Sequence, residues 1–297
     1  MIVNFVTQSG ESVASYRYHN QIPAKALQSL GHEAVVTGYP IIGADAYVFS
    51  KHWNYGDHWY AMALAQLGKK MIFHCCDNHF GREHGEHYRR MMSIVDKVTV
   101  TTPYMGKVLK LQGIKQRAQV IDDPYEFDEA PAQFAPYGKL KVLWFGHPSN
   151  IGPLADIWPE IKDKCDLRIC TSTTGRLGSV FEGASILPYS KPGLLFAMAW
   201  SDCVILPQTL DEITMVKSPN RLVEAVRRGK FVIASPIPSY TQFTDIMYIG
   251  DVSDGVEWIL RQKNERIVEK IRKAQEYVKQ KFDPAIIGKK WERILSA

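Results

Sequence analysis

Short apolar runs, bounded by turn residues, alternate with amphipathic helical stretches along almost the whole chain, and this alternation limits the fold more than any other feature. Two parallel strands need a crossover between them, and an amphipathic helix is the usual one. Repeated strand–helix units therefore build a parallel sheet with helices on both faces. "IVNFVT" opens as a strand, and "SGESVASYRYHN" reads as a turn containing Gly and Ser. "QIPAKALQSLGHEAVVTG" supplies a helix, a Gly stop and a second strand. "AYVFSK", "MIFHCC", "KVTVTT" and "AQVIDD" are further strands. The helices between them are "WYAMALAQLGKK", "GEHYRRMMSIVD" and "PYMGKVLKLQG".

The alternation then breaks. "DPYEFDEAPAQFAPYGK", residues 123–139, is rich in Pro, acidic and aromatic residues and has neither period, so it reads as a linker. Strand–helix units restart with "LKVLWFGH" and "IGPLADIWPEIKD", and the chain ends in helix with a break near Asp283-Pro284. We expect an α/β protein of two Rossmann-like, doubly wound domains. The bounds are 1–130 for the first domain, 131–138 for the linker and 139–282 for the second, with a last helix at about 283–297. Such sheets place ligands at the carboxyl ends of their strands, so the expected site is a cleft where the two domains face each other.

Composition excludes several classes. The 297 residues are 45% hydrophobic and 23% charged, the balance of a soluble chain with a substantial core. A net charge of +5 favours anionic ligands without demanding nucleic acid or membrane. The five Cys show no CxxC, which suits buried free thiols in a reducing compartment. "MIVNFVTQSG" lacks the basic region and apolar length of a signal peptide, and no run is long enough to span a bilayer. The expected location is cytoplasmic, with peripheral membrane association open. GxGxxG and GxxxxGK[ST] are both absent, which removes most support for dinucleotide oxidoreductases and P-loop NTPases.

The most informative local stretch is "KSPNRLVEAVRRGKFVIASP", residues 217–236. Ser218 suits the helix cap and Pro219 the first helical position. Leu222 and Val226 form an apolar pair, while Asn220, Glu224, Arg227 and Arg228 share the polar stripe. A helix N-terminus flanked by Lys217 and Arg221 is an anion site, with Glu224 one turn deeper for a sugar hydroxyl. The competing reading makes Glu224 a solvated partner of Arg227 or Arg228.

Other candidates lie at strand ends. Gly146, Ser149 and Asn150 in "WFGHPSNIGPL" are placed to hold a diphosphate, or Ser149 or Asn150 simply caps the helix. Arg176 and Tyr189 follow the next two strands and join the nucleotide-binding set. His74 and Asp77 follow the apolar "MIF", where an Asp can serve as general base and a His as donor to a sugar or phosphate oxygen. An Asp77-Asn78 turn is the structural alternative. Gly10, Arg17 and His52 are candidates for the acceptor side. His84-x-x-His87 with nearby His79 has metal-compatible spacing, but there is no HExxH and no closed ligand set, so no metal is expected.

Taken in order, several stretches resemble the GT-B glycosyltransferases of the "glycosyl transferases group 1" kind. "SYRYHNQIPAKALQSLGHEAVV" looks like their first helix and second strand, and "DKVTVTTPYMGKVL" like their late N-domain strand and helix. "VLWFGHPSNIGPL" is similar to the start of their C-terminal domain, "WSDCVILPQ" to the strand before the sugar-nucleotide loop, and "KSPNRLVEAVRRGKFVIASP" to the donor-binding helix and strand. The likeness implies that Glu224 binds ribose hydroxyls and that Lys217 to Arg221 face the diphosphate and sugar. It also implies a last helix that crosses back onto the N-terminal domain. Retaining members often carry a second Glu earlier in this motif; Val216 occupies that region here, and Lys217 is the candidate substitute. The resemblance leaves the donor sugar and the stereochemical outcome open.

The expected activity is transfer of a sugar from a nucleotide-diphosphate sugar to a hydroxyl acceptor, with His74, Asp77 and Lys217 as catalytic candidates and no cofactor required. The acceptor would be a polysaccharide, a lipid-linked glycan or another glycan. A hydroxymethylated base in DNA, a non-catalytic nucleotide-sugar-binding protein and a nucleotide-sugar epimerase are the alternatives.

Overall fold

The computed structural model describes residues 1–51, 56–172 and 177–297, which fall into two compact units. Unit 1 comprises residues 1–126, 215–218 and 280–297, and unit 2 comprises residues 127–214 and 219–279.

The sheet of unit 1 contains β1 (Ile2–Thr7), β2 (Glu33–Thr37), β3 (Ala46–Ser50), β4 (Lys70–Cys75), β5 (Lys97–Val100) and β6 (Gln119–Val120). All pairings are parallel, in the spatial order β2-β1-β3-β4-β5-β6. The strands read as apolar runs because both faces are covered. On one face Val6, Phe49, Phe73 and Val98 pack with Ala61, Tyr88, Met91, Met105 and Leu109. On the other, Phe5, Val48 and Ile72 meet Leu27, Ile287, Trp291 and Leu295. That second layer includes the last helix, Pro284–Ser296, so the chain terminus belongs to this core. A Cβ on Gly288 would lie 2.8 Å from the Ala26 Cβ, so glycine sets how closely this helix packs on its neighbour.

Unit 2 contains β7 (Leu140–Phe145), β8 (Cys165–Thr171), β9 (Ser185–Pro188), β10 (Cys203–Leu206), β11 (Phe231–Ala234) and β12 (Tyr248–Ile249). Their parallel order is β12-β11-β10-β7-β8-β9, the doubly wound order of nucleotide-binding sheets, which reverses direction between β7 and β10.

Three local expectations change. The "SGESVASYRYHN" segment is not merely a turn, since it carries a helix at Ala14–Tyr16 and a π-helical turn at Arg17–Gln21 that runs into Ile22–Ser29. Unit 2 begins at Phe127, ahead of the expected boundary. The irregular segment is tied to unit 2 by Ala130 N–H to Arg227 O (2.9 Å), Gln133 N–H to Gly229 O (3.1 Å) and Gln275 Nε2 to Ala130 O (2.7 Å). Finally, the helix after Ser218 spans Asn220–Arg227 with Pro219 at its N-cap and no side-chain cap bond, because Ser218 is hydrogen-bonded to Asp123 instead.

Candidate functional site

In unit 2 the reversal of strand order leaves a crevice at the carboxyl ends of β7 and β10, and several candidates gather there. The Arg221 guanidinium donates from Nη1 to the Phe145 carbonyl at 3.3 Å. A Cβ on Gly146 would sit 3.1 Å from that Nη1, so a glycine at the strand end makes room for the cation. Trp144 lies beneath, with its ring centroid 6.0 Å from the guanidinium carbon. Trp144 Nε1 and Gln208 Nε2 are both buried and have no hydrogen-bond partner among the described residues. Both are N–H donors, from which the oxygens of a ligand would accept.

Ser149 Oγ lies 2.8 Å from His147 Nδ1, and His147, not Ser149 or Asn150, caps the short 3-10 turn Pro148–Asn150. The Ser149 hydroxyl is exposed, and the next helix, Gly152–Ile161, has no side-chain cap. Tyr189 follows β9 and joins it to β8 through its N–H, which donates to the Thr171 carbonyl at 2.8 Å.

Glu224 is only 2% exposed, which removes the reading of a solvated surface partner. Its Oε2 accepts the Phe127 N–H at 3.2 Å. Arg227 instead pairs with Glu129, and Arg228 donates to the Asp128 carbonyl at 3.0 Å. The amphipathic pattern had placed Glu224 with the polar stripe; the irregular 127–133 segment covers that stripe and buries it.

Unit 1 holds a second cluster, at the carboxyl ends of β3 and β4. Lys51 has a φ of +54°, a left-handed conformation that a side chain other than glycine adopts at a cost, and such positions gather at functional sites. It aims its ammonium at the Asp77 carboxylate, with which it forms a close ion pair. Cys76 Sγ lies 3.7 Å from Asp77 Oδ2. His74 is buried on β4, 2.9 Å through Nδ1 from Thr99 Oγ1 and 3.4 Å through Nε2 from His19 Nδ1. The same His19 nitrogen is 3.0 Å from Asp123 Oδ1.

The charges in this cluster are sharply divided. Burial pushes His19 down, but Asp123 and Cys76 outweigh it and carry its pKa to about 10. Burial, reinforced by the charge on His19, pushes His74 down to about 3. Burial raises Asp123, yet His19 and Ser218 together hold its carboxyl below the usual range. At neutral pH His19 is therefore a cation paired with Asp123, and His74 is a neutral imidazole. One donor atom each from His19, His74 and Asp123 fall within 4.8 Å of one another, a set that a metal ion could bridge, although hydrogen bonds already join these atoms.

The segment 215–218 belongs to this unit. Val216 is fully buried in its core, and its carbonyl accepts the Thr102 hydroxyl at 3.0 Å. That burial suits the apolar side chain at this position. Lys217 beside it is half-buried.

Of the acceptor-side candidates, Arg17 is buried and donates from Nε to Glu126 at 2.8 Å and 3.0 Å. Gly10 is exposed at the rim of a pocket at the ends of β1 and β2. His52 and Arg176 lie outside the described residues.

No protein-family profile matches the chain, and no curated protein matches it in sequence. Solved structures do match. HepE of Anabaena, crystallised with UDP, aligns over 100% of both chains with a TM-score of 0.72 and 14% identity. TarM aligns over 85% of this chain and 55% of its own with a TM-score of 0.62 and 14% identity. The α,α-trehalose 6-phosphate synthase of Burkholderia multivorans aligns over 84% of this chain and 70% of its own, with a TM-score of 0.61 and 10% identity.

The fold is GT-B.

Two members of the unit 1 cluster escaped the sequence reading. His19 sat in a stretch taken for a turn. Asp123 closes the "AQVIDD" run, where the rule that strand ends carry chemistry would have found it.

Proposed function

We propose that this chain is a metal-independent glycosyltransferase that moves a sugar from a nucleotide-diphosphate sugar to a hydroxyl of a glycan or lipid-linked acceptor. The observation that carries this reading is Arg221, lodged beside Gly146 at the carboxyl end of β7, where the sheet order reverses. A GT-B chain must stabilise the charge that develops on the leaving diphosphate, and a fixed guanidinium with bidentate capacity does so. The comparisons support the same chemistry: HepE was crystallised with UDP, and a TarM variant with UDP and alpha-GlcNAc-glycerol.

The other residues take roles that follow from their surroundings. Gly146 and the exposed Ser149 hydroxyl offer approach and a donor to the diphosphate, with Asn150 and Tyr189 bordering the same strand ends. Glu224 meets the ribose hydroxyls, which a carboxylate accepts while keeping the Phe127 N–H. Lys217 and Ser218 precede the helix in sequence and are assigned to the sugar and phosphate. Asp77, beside Lys51 at the end of β4, orients or deprotonates the acceptor hydroxyl. His74 is neutral at working pH and acts as a hydrogen-bonding group, not as a cation. No helix among the described residues is long and apolar enough to cross a membrane. No observation favours a DNA base as acceptor.

The test is a thermal-shift screen of UDP, GDP, ADP, CDP and dTDP on the wild type and Arg221→Ala. Ligand at a hundred times its dissociation constant adds about 2.7 kcal/mol. One nucleotide should stabilise the wild type and lose most of its effect in the variant. If no nucleotide shifts the folded wild type, the reading fails.

A further inference from the structure

The pocket of about 600 Å³ at the carboxyl ends of β1 and β2 has no part in the donor chemistry above. Its volume falls within the range of about 300–1,000 Å³ usual for small-molecule sites. Its wall is built from the loop Gln8–Glu11, Tyr16 and the turn at Gly38–Tyr39. The chain carries a net charge of +5, yet among the described residues no Lys, Arg or His lines this pocket. Among the described lining residues the charged group is Glu11, and the Tyr16 hydroxyl is hydrogen-bonded to it. Gln8 is held in place, its Nε2 lying 3.2 Å and 3.3 Å from the two carboxylate oxygens of buried Asp57. Ser9 Oγ and Ser15 Oγ are 3.2 Å apart beside it. At the mouth, Tyr39 is 68% exposed, and its ring lies tilted against that of Tyr60 at 6.3 Å and 59°.

Arg17 donates from Nη1 to the Glu11 carbonyl at 3.4 Å, but its charge is paired with Glu126, so the Glu11 carboxylate repels phosphate, nucleic-acid backbone and anionic lipid headgroups. It accepts hydrogen bonds from hydroxyls well, and a phenol–carboxylate pair with an amide nearby offers both donors and acceptors. An exposed tyrosine face adds an apolar surface with a polar tip, suited to the C–H face of a sugar ring. We propose that this pocket is a binding site for a neutral saccharide, held by Glu11, Tyr16 and Gln8 and stacked on Tyr39. The proposal rests on the glycosyltransferase reading for its purpose, and it names the acceptor class as an uncharged glycan.

Saturation-transfer NMR would test it on the whole chain, with glucose, galactose, N-acetylglucosamine, maltose and lactose as neutral probes. Inorganic phosphate, duplex DNA and phosphatidylglycerol vesicles are the anionic comparisons, followed by sedimentation or titration. The expected result is binding of at least one neutral sugar that weakens tenfold or more in Tyr39→Ala and in Glu11→Gln. Both residues are exposed, so both variants should fold, and their response to UDP should match the wild type. The proposal is overturned if no neutral sugar binds, if both variants bind it as the wild type does, or if only the anionic probes bind. Loss of the nucleotide response with sugar binding intact would sink the transferase reading and leave the pocket standing; the reverse would sink the pocket alone.

Discussion

His19 Nδ1 and His74 Nε2 lie 3.4 Å apart in the buried heart of unit 1, yet their surroundings drive their protonation in opposite directions. His19 is carried to about 10 because Asp123 and Cys76 outweigh the cost of burial, whereas burial and the His19 charge push His74 to about 3. At neutral pH only one of the two rings carries the extra, charging proton, and it is His19, the ring paired with the Asp123 carboxylate.

Stability should therefore peak near the ordinary histidine value of 6.5 and fall on both sides. A raised pKa gives His19 a contribution that is complete below 6.5 and lost as pH climbs toward 10. A lowered pKa makes the His74 contribution complete above 6.5 and lost as pH falls toward 3, because the unfolded state then binds the extra proton. Each limb should approach about 1.4 kcal/mol per pH unit, the slope for one proton. Denaturant titrations from pH 4 to 9.5 check this. His74→Asn should flatten the acid limb and His19→Gln the alkaline limb; a profile that keeps both limbs in both variants would refute the assignment.

The thiols offer a second test of the same cluster. Burial raises Cys75 and Cys203 well above the usual thiol value and carries Cys165 to about 12 and Cys170 to about 11. Burial also raises Cys76, but Lys51 and His19 reverse that and hold it below the usual value. Because the thiolate is the nucleophile, Cys76 should react with iodoacetamide before the other four at pH 7.5. Peptide mapping by mass spectrometry reads the order. Lys51→Met should slow Cys76 several-fold; equal labelling of Cys75 and Cys76 would count against the charge arrangement.

Much of this architecture was legible because parallel sheets covered on both faces write themselves as apolar runs, as in "FVIA" of β11 and "CVIL" of β10. The helix Asn220–Arg227 was legible through Leu222, Val226 and Gly229, which are local signals. What was hidden depends on segments remote in sequence. Glu224 looks solvated until residues 127–133 cover it, and Ser218 looks like a cap until Asp123 takes its hydroxyl. The His19–Asp123 pair spans most of unit 1, and no periodicity reports a contact of that range. Helix formation at Ala14–Tyr16 overrode a Gly/Ser-rich start because Tyr18 and Asn20 are buried by the fold.

Gly229 follows the helix Asn220–Arg227 with a φ of +70°, and a Cβ there would lie 2.7 Å from the Pro131 carbonyl carbon. Gly183 has a similar φ of +81° with open space around it. Gly183→Ala should cost about 1 kcal/mol for the left-handed backbone alone. Gly229→Ala adds a backbone collision to that strain and should cost about 3 kcal/mol. Urea titration of the two variants measures the difference, and equal losses would show that the 130–133 segment yields freely.

Glu224 separates the structural role of a buried carboxylate from a ligand-binding one. Glu224→Ala leaves the Phe127 N–H without its acceptor and should cost about 1–3 kcal/mol of stability. Glu224→Gln keeps an acceptor oxygen for that N–H, so its stability should stay within about 1 kcal/mol of the wild type. A neutral amide accepts hydroxyl hydrogen bonds more weakly than a carboxylate, so Glu224→Gln should still weaken nucleotide binding about tenfold. Calorimetric titration with the stabilising nucleotide and with its 2′-deoxy form reads this directly: the wild type should prefer the ribose form, and Glu224→Gln should lose that preference. If the amide variant binds both forms as the wild type does, Glu224 serves only to anchor Phe127, and the ribose contact belongs to another residue.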